Sequence, residues 1–169
     1  MNNNQIKINS KIKEAIQNNK PIVALESTLI SHGLPYPDNI SVANESIKAV
    51  EESGGIAATI GIINGIIKIG LDKDDIEILA STKNVEKVSL HNIALSLFNK
   101  KNAATTVAAT INIASKIGIN FFATGGIGGV HLDSENNNDI SADLTELSRN
   151  KMFVVSSGAK SILDLEKTY

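Results

Sequence analysis

The sequence predicts a single α/β domain, a three-layer α/β/α arrangement around a mixed β-sheet. Short apolar runs rich in β-branched residues alternate with amphipathic segments, the pattern of strands and helices in turn. Several of those runs are apolar at every position, which marks strands covered on both faces. Asn64-Gly65 joins two of them, and this dipeptide between apolar runs is a hairpin signal, so one antiparallel pair is expected in the sheet. At 169 residues the chain is one domain spanning 1–169, and with 42% hydrophobic but only 4% aromatic residues its core is built from Ile, Val, Leu and Ala.

Taken in order, residues 1–10 read as an asparagine-rich polar tail. Ile12, Ala15 and Ile16 stand at helical spacing in 11–19, behind Ser10 as N-cap. Pro21 opens the buried strand Ile22-Val23-Ala24-Leu25, and Glu26-Ser27-Thr28 follow where it emerges. The stretch 31–37, with Gly33, Pro35 and Pro37, is a loop, after which Ile40, Ala43, Ile47 and Val50 mark a helix stopped by Gly54-Gly55. Residues 56–63 and 66–69 form the hairpin. Asp72 caps a helix through Asp75, Ile76 and Leu79, residues 85–88 are a short strand carrying Lys87, and 91–98 a brief helix. Asn102 caps a longer helix across 103–117, stopped by Gly118, and Phe121-Phe122-Ala123 is a buried strand. A glycine-rich loop (125–129), a polar stretch (133–139) and a helix over 141–149 precede a buried strand, Met152-Phe153-Val154-Val155, and a final helix.

Composition narrows the function. A formal net charge of −2, no long basic run and few aromatics argue against nucleic-acid binding and for a small-molecule substrate. With no cysteine, disulfides, thiolate metal sites and a cysteine nucleophile are excluded. His32, His91 and His131 form no H-x-x-x-H pair, which disfavours a histidine zinc site. The N-terminus lacks the order of a signal peptide, and no run approaches the ~18 apolar residues of a membrane span, so a cytoplasmic protein is expected.

Lys160 is the most unusual residue. It lies in Ser156-Ser157-Gly158-Ala159-Lys160, just past an apolar strand and among small residues that leave its amine uncovered, the setting of an anion ligand or a nucleophile. Glu26, at a strand end, is either a general acid with a raised pKa or a cap on the next segment. The loop 124–129 either cradles a phosphate or serves only as a turn. It fails as a dinucleotide fingerprint, because His131 stands where the third glycine belongs. Asp139 and Asp143 flank Ser141 at a helix start. They are candidate ligands of a hard divalent cation, or alternatively an N-cap and a first-turn acid. Residues 103–107 begin a helix whose free N–H groups could hold phosphate. If Lys87 and Lys160 converge, repulsion and desolvation would free an amine for Schiff-base chemistry.

These segments together resemble the indigoidine synthase A-like family of pseudouridine-5′-phosphate glycosidases. The matching motifs are Ala24-Leu25-Glu26-Ser27-Thr28 with Ser31-His32-Gly33, Val85-Glu86-Lys87-Val88-Ser89, Ala104-Thr105-Thr106-Val107-Ala108, and the stretches 123–131, 139–144 and 158–165. The resemblance implies a cytoplasmic, manganese-dependent homotrimer, with Mg²⁺ as the alternative ion, that reversibly cleaves the C–C glycosidic bond of pseudouridine 5′-phosphate to uracil and ribose 5-phosphate. It implies that Lys160 is the nucleophile forming an imine-type adduct at the sugar C1′ and Glu26 the proton donor. It further implies that Lys87 and the Val107 backbone contact substrate, that Ser141, Ala142 and Asp143 line the ribosyl phosphate, and that Asp139 holds the metal. Because the leaving atom is carbon, ring opening and an iminium electron sink suit the reaction. Members of the family are considerably longer, which implies a domain truncated at its C-terminus. Two other readings follow: a non-catalytic subunit needing a complementing half, and a sugar-phosphate aldolase that also uses a lysine imine.

Overall fold

The computed structural model describes residues 5–132, 134 and 138–169. The strands are β1 (Ile6–Ile8), β2 (Ile22–Leu25), β3 (Ile56–Ile63), β4 (Ile66–Ile69), β5 (Glu86–Val88), β6 (Ala103–Thr105), β7 (Phe121–Ala123) and β8 (Phe153–Val155). The helices are α1 (Ser10–Gln17), α2 (Thr28–His32), α3 (Asp38–Glu52), α4 (Lys73–Ser81), α5 (Ile93–Phe98), α6 (Val107–Lys116), α7 (Ala142–Arg149) and α8 (Leu165–Thr168). One mixed sheet runs β1-β4-β3-β2-β7-β8, and β6 with β5 branches from β3. The α/β class and the mixed sheet are as the sequence predicts. Among the described residues no helix is long and apolar enough to cross a membrane.

The sheet divides two cores. On one face α1, α5 and α6 pack Ile12, Leu97 and Ile111 onto Ile22, Ala24, Ile60, Ile62 and Phe122. On the other, α2, α3 and α4 bring Ile30, Ala43 and Leu79 against Ile63 and Leu71. Adjacent residues on a strand point to opposite faces. On β7 and β8 only one face is covered: Phe122 is 1% exposed, whereas Phe121, Phe153 and Val155 are 47%, 70% and 68% exposed. The strand at 152–155, expected to be buried, is therefore buried on one side only. Phe121 and Phe153 stack on the open side with ring centroids 5.3 Å apart.

Along the edge away from β4, β3 serves two partners. Residues Ile56 to Thr59 pair in parallel with β2, while Gly61 and Ile62 pair antiparallel with β6. Where β2 and β6 both end, Thr105 N–H donates to Ser27 Oγ (2.8 Å) and Thr105 Oγ1 donates to the Ile60 carbonyl (2.7 Å). Thr28 Oγ1 donates to the Thr105 carbonyl (2.9 Å) and Thr110 Oγ1 to Thr105 Oγ1 (3.0 Å). Ser27, Thr105 and Thr110 are all fully buried, so hydroxyl groups complete a ladder that the branching interrupts.

Several elements differ from the sequence reading. The N-terminal tail holds β1, an Ile-Lys-Ile strand parallel to β4, and the cap of α1 is Asn9, whose side chain accepts from Lys11 N–H. Residues 28–32 form one helical turn, leaving a shorter loop. The helix expected over 103–117 begins at Val107, capped by Thr106, because Ala103 to Thr105 are drawn into the sheet between β3 and β5. The β3–β6 pairing therefore adds a second antiparallel contact to the hairpin. That hairpin is as predicted, with Asn64 and Gly65 at φ 50° and 73°. The polar stretch 133–139 falls partly outside the described residues.

Candidate active site

A cavity of about 500 Å³ opens at the branch point of the sheet. Its walls include Glu26, Lys87, Val107, Asp139, Ser141, Ala142, Asp143 and Lys160, all eight residues assigned a role from the resemblance. They come from five separate stretches of chain.

Glu26 follows the last residue of β2. The parallel register sets Leu25 opposite Ala123, so the next residues, Glu26 and Thr124, emerge side by side. Thr124 Oγ1 donates to Glu26 Oε1. Burial pushes the Glu26 carboxyl above its ordinary pKa. The Thr124 hydrogen bond and the Lys160 charge oppose that rise, the Asp143 charge adds to it, and Lys87 opposes it less strongly. Glu26 is thus a partly buried acid within the field of both cavity lysines.

Lys160 is held by backbone pairing. Beyond β7 and β8 the glycine loop and the strap 156–160 continue side by side: Thr124 N–H donates to the Val155 carbonyl (2.9 Å) and Ser157 N–H to that of Gly125 (3.1 Å). Ile127 N–H donates to the Gly158 carbonyl and Lys160 N–H to that of Ile127, both at 3.0 Å. Gly158, at φ 106°, makes the turn that a side chain would strain.

Asp143, in the first turn of α7, is 5% exposed. Its Oδ1 accepts from Ala108 N–H and its Oδ2 from Gly128 N–H, each at 2.8 Å. This carboxylate therefore ties the start of α6 to the glycine loop. A Cβ on Gly128 would lie 2.4 Å from Ser141 Oγ and 2.8 Å from Asp143 Oδ2, which explains a glycine there. The amides of Ile127, Gly128 and Val130 are all engaged within the protein, the last by Thr168 Oγ1. What the glycine loop visibly does is seat Lys160 and Asp143. The cap of α7 is Ser141, which accepts from Asp143 N–H, so neither aspartate caps that helix.

On the opposite wall Lys87 projects from β5, and the Asn92 side chain fixes the following turn by donating to the Lys87 carbonyl (3.0 Å) and accepting from Ser89 N–H (2.9 Å). Val107 supplies the first amide of α6. Asp139 lies at the rim, 56% exposed, with Oδ2 3.8 Å from His131 Nδ1. Among the described residues no group of three or more His, Cys, Asp or Glu is placed to share a metal ion. Asp139 instead offers one carboxylate that is more than half exposed, which fits Mn²⁺ or Mg²⁺, ions that bind through one or two carboxylates together with water and substrate oxygens.

The sequence reading missed part of this wall. His91, considered from the sequence only as a zinc ligand, borders the cavity, as do Ser89, Thr106, Ile162 and Leu163. His131, just past the glycine loop, borders it as well. His32 instead hydrogen-bonds the Val85 carbonyl (3.1 Å), away from the cavity. The signal for Thr124 lay in the pairing of β2 with β7, which a single sequence does not display.

Comparison with known proteins identifies the family. The sequence pattern described as indigoidine synthase A like protein matches residues 11–169. A pseudouridine-5′-phosphate glycosidase of Staphylococcus aureus is 53% identical over 163 residues, covering 96% of this chain and 53% of the relative. The Escherichia coli protein of that name is 49% identical over 164 residues, with 96% and 53% covered. The crystal structure of a prealnumycin C-glycosynthase in complex with ribulose 5-phosphate superposes with TM-score 0.87 at 44% identity, covering 96% of this chain and 53% of the other. An indigoidine synthase A-like protein from Thermotoga maritima gives 0.84 at 38% identity, with 96% and 52% covered. The chain thus spans about half the length of the relatives it matches. By its sequence across residues 11–169 and by its fold, it belongs to the indigoidine synthase A-like family.

Proposed function

We propose that this cavity carries out reversible cleavage of the C–C glycosidic bond of pseudouridine 5′-phosphate to uracil and ribose 5-phosphate. The observation that carries the reading is the placement of a partly buried acid, Glu26, and a strap-held amine, Lys160, on the walls of one cavity. As the ribose ring opens, Lys160 Nζ bonds to C1′ and the bond from C1′ to the ring oxygen breaks, the proton lost by the nitrogen passing to that oxygen. The C–C bond then breaks with its electron pair passing to the uracil carbon, which takes a proton from Glu26. The nitrogen lone pair converts the Lys160–C1′ bond to an iminium, and water hydrolyses it to ribose 5-phosphate. Raising the Glu26 pKa by burial keeps a proton available for that step.

Lys87, the Val107 amide and the α7 start at Ser141 and Ala142 would bind the sugar phosphate, with Asp143 holding their two helices in register. Asp139 would hold a single Mn²⁺, or Mg²⁺, whose charge would offset that of the phosphate when bound. The protein would act in the cytoplasm as a homotrimer.

The test is borohydride reduction of the purified chain in the presence of ribose 5-phosphate, followed by peptide mass spectrometry. A reduced sugar adduct on Lys160, absent from Lys160→Ala, is expected. A folded protein that gives no adduct overturns independent chemistry by this chain. A second reading, a subunit that acts only with a complementing half, is favoured by the bare face of β7 and β8, and uracil release that requires a second polypeptide would select it.

A further inference from the structure

α7 is held to the protein by acids. Its two buried residues are Asp143 and Glu146, 5% and 3% exposed, and both accept hydrogen bonds from α6. Three rungs join the pair. Asp143 accepts from Ala108 N–H, Glu146 Oε2 accepts from Asn112 Nδ2 (2.9 Å), and Asn150, just past α7, accepts at Oδ1 from Ser115 Oγ (2.7 Å). The rungs stand at 108, 112 and 115 on one side and at 143, 146 and 150 on the other, so the two helices run parallel. Parallel neighbours set like ends of their dipoles together, so charge does not favour the pairing and directional bonds fix its register. The middle rung is built to receive an oxygen. Lys116 Nζ, which can only donate, bonds to Asn112 Oδ1 (2.7 Å), as the Ser115 hydroxyl does to Asn150 Oδ1. Both amide NH₂ groups are thereby turned toward Glu146, and its Oε2 accepts from Asn150 Nδ2 as well (3.0 Å).

At the cavity end of the two helices most first-turn amides are already taken. Ala108 N–H donates to Asp143, Ala109 N–H to Thr106 Oγ1 and Asp143 N–H to Ser141 Oγ. Among the described residues no protein acceptor meets the N–H of Val107 or of Ala142, the first amide of each helix, and both residues border the cavity. An anion that bridges the helices has to find those two amides at a fixed separation. We propose that Glu146 is a positioning residue, a role that rests on the proposed phosphate site: by joining Asn112 and Asn150 it sets the register of α7 against α6, and with it the placement of the Val107 and Ala142 amides on the sugar phosphate. Asp143 ties the helices where they meet the cavity, and a single tie is a hinge. Glu146, one turn further along α7, stops them from pivoting about it.

The test is an amide NMR titration with ribose 5-phosphate of the full chain carrying Lys160→Ala, so that binding is read with no adduct formed. In this parent the Val107 and Ala142 amide protons should shift downfield together as the phosphate seats. Glu146→Leu and Asn112→Leu break the middle rung from either side, and each should weaken binding about tenfold and diminish both shifts at saturation. Asn112 is half-buried, so its variant keeps the test open if Glu146→Leu does not fold. Glu146→Gln still offers an oxygen to both amides, and should hold the affinity within about twofold of the parent with both shifts intact. A folded Asn112→Leu chain with parental affinity and shifts overturns the proposal, as does a Glu146→Gln chain that behaves like Glu146→Leu. Binding by the parent that moves neither amide also overturns it. A parent that binds no ribose 5-phosphate removes the phosphate site and this role with it, whereas a missing adduct in the chain that retains Lys160 bears only on the lysine chemistry.

Discussion

Thr124 and Glu26 are neighbours by strand register, and the threonine hydroxyl donates to the carboxylate. The bond favours the ionised acid, against the burial that disfavours it. Thr124→Val removes the opposing influence and should raise the Glu26 pKa further. Carbon-13 NMR titration of the Glu26 carboxyl reads this directly, with Thr124→Ser restoring the wild-type curve. An unchanged curve in Thr124→Val would show that the bond does not form in solution.

Burial also makes Glu26 a source of pH-dependent stability. Its folded pKa lies above the unfolded value, so its contribution is fully present below the unfolded pKa and is lost as pH rises through the folded one. Glu26→Gln, neutral throughout, should therefore raise the melting temperature at about pH 7.5 and leave it nearly unchanged near about pH 4. Each kcal/mol relieved corresponds to about 2–4 °C in a domain of this size, read by calorimetry at the two pH values.

Two glycines four residues or fewer from Gly129 should behave oppositely. Alanine at Gly128 drives its Cβ into Ser141 and Asp143, whereas at Gly125 a Cβ meets nothing within 4 Å. Gly128→Ala should cost about 2 kcal/mol or more, and Gly125→Ala under about 0.5 kcal/mol, by urea unfolding.

The hydroxyl bridge at the branch of the sheet is open to the same measurement. Ser27→Ala leaves the buried Thr105 N–H without its acceptor, and the loss should be about 1–3 kcal/mol. Equal stability of variant and wild type would mean that the branch is held by packing alone.

For the cation, Asp139→Asn should abolish binding of Mn²⁺ followed by electron paramagnetic resonance, with the fold unchanged because the side chain is more than half exposed. Retention of full affinity would place the ion elsewhere.

The fold class and most elements were legible because long or strongly patterned segments, such as α3 and the Asn64-Gly65 hairpin, carry their own signal. The three-residue strands β1 and β6 were not, since a strand that short is decided by its neighbours. Ala103 and Ala104 favour helix on their own and become strand only because β3 and β5 leave room for nothing larger. The residues that share the cavity were named through family motifs, and Lys160 also through its odd setting. The role of Asp143 as a tie between two backbone amides, and of Thr124 beside Glu26, depends on strand register and helix placement that no local pattern encodes.

The strap that carries Lys160 has a consequence for the order of synthesis. Glu26, Lys87, Asp139 and Asp143 all precede it, and the strap joins by backbone bonds to a glycine loop already made. A chain emerging from the ribosome therefore makes Glu26, Lys87 and Asp143 before it makes Lys160. Until residues 156–160 pair with 124–127, the growing polypeptide holds a pocket without the Lys160 amine.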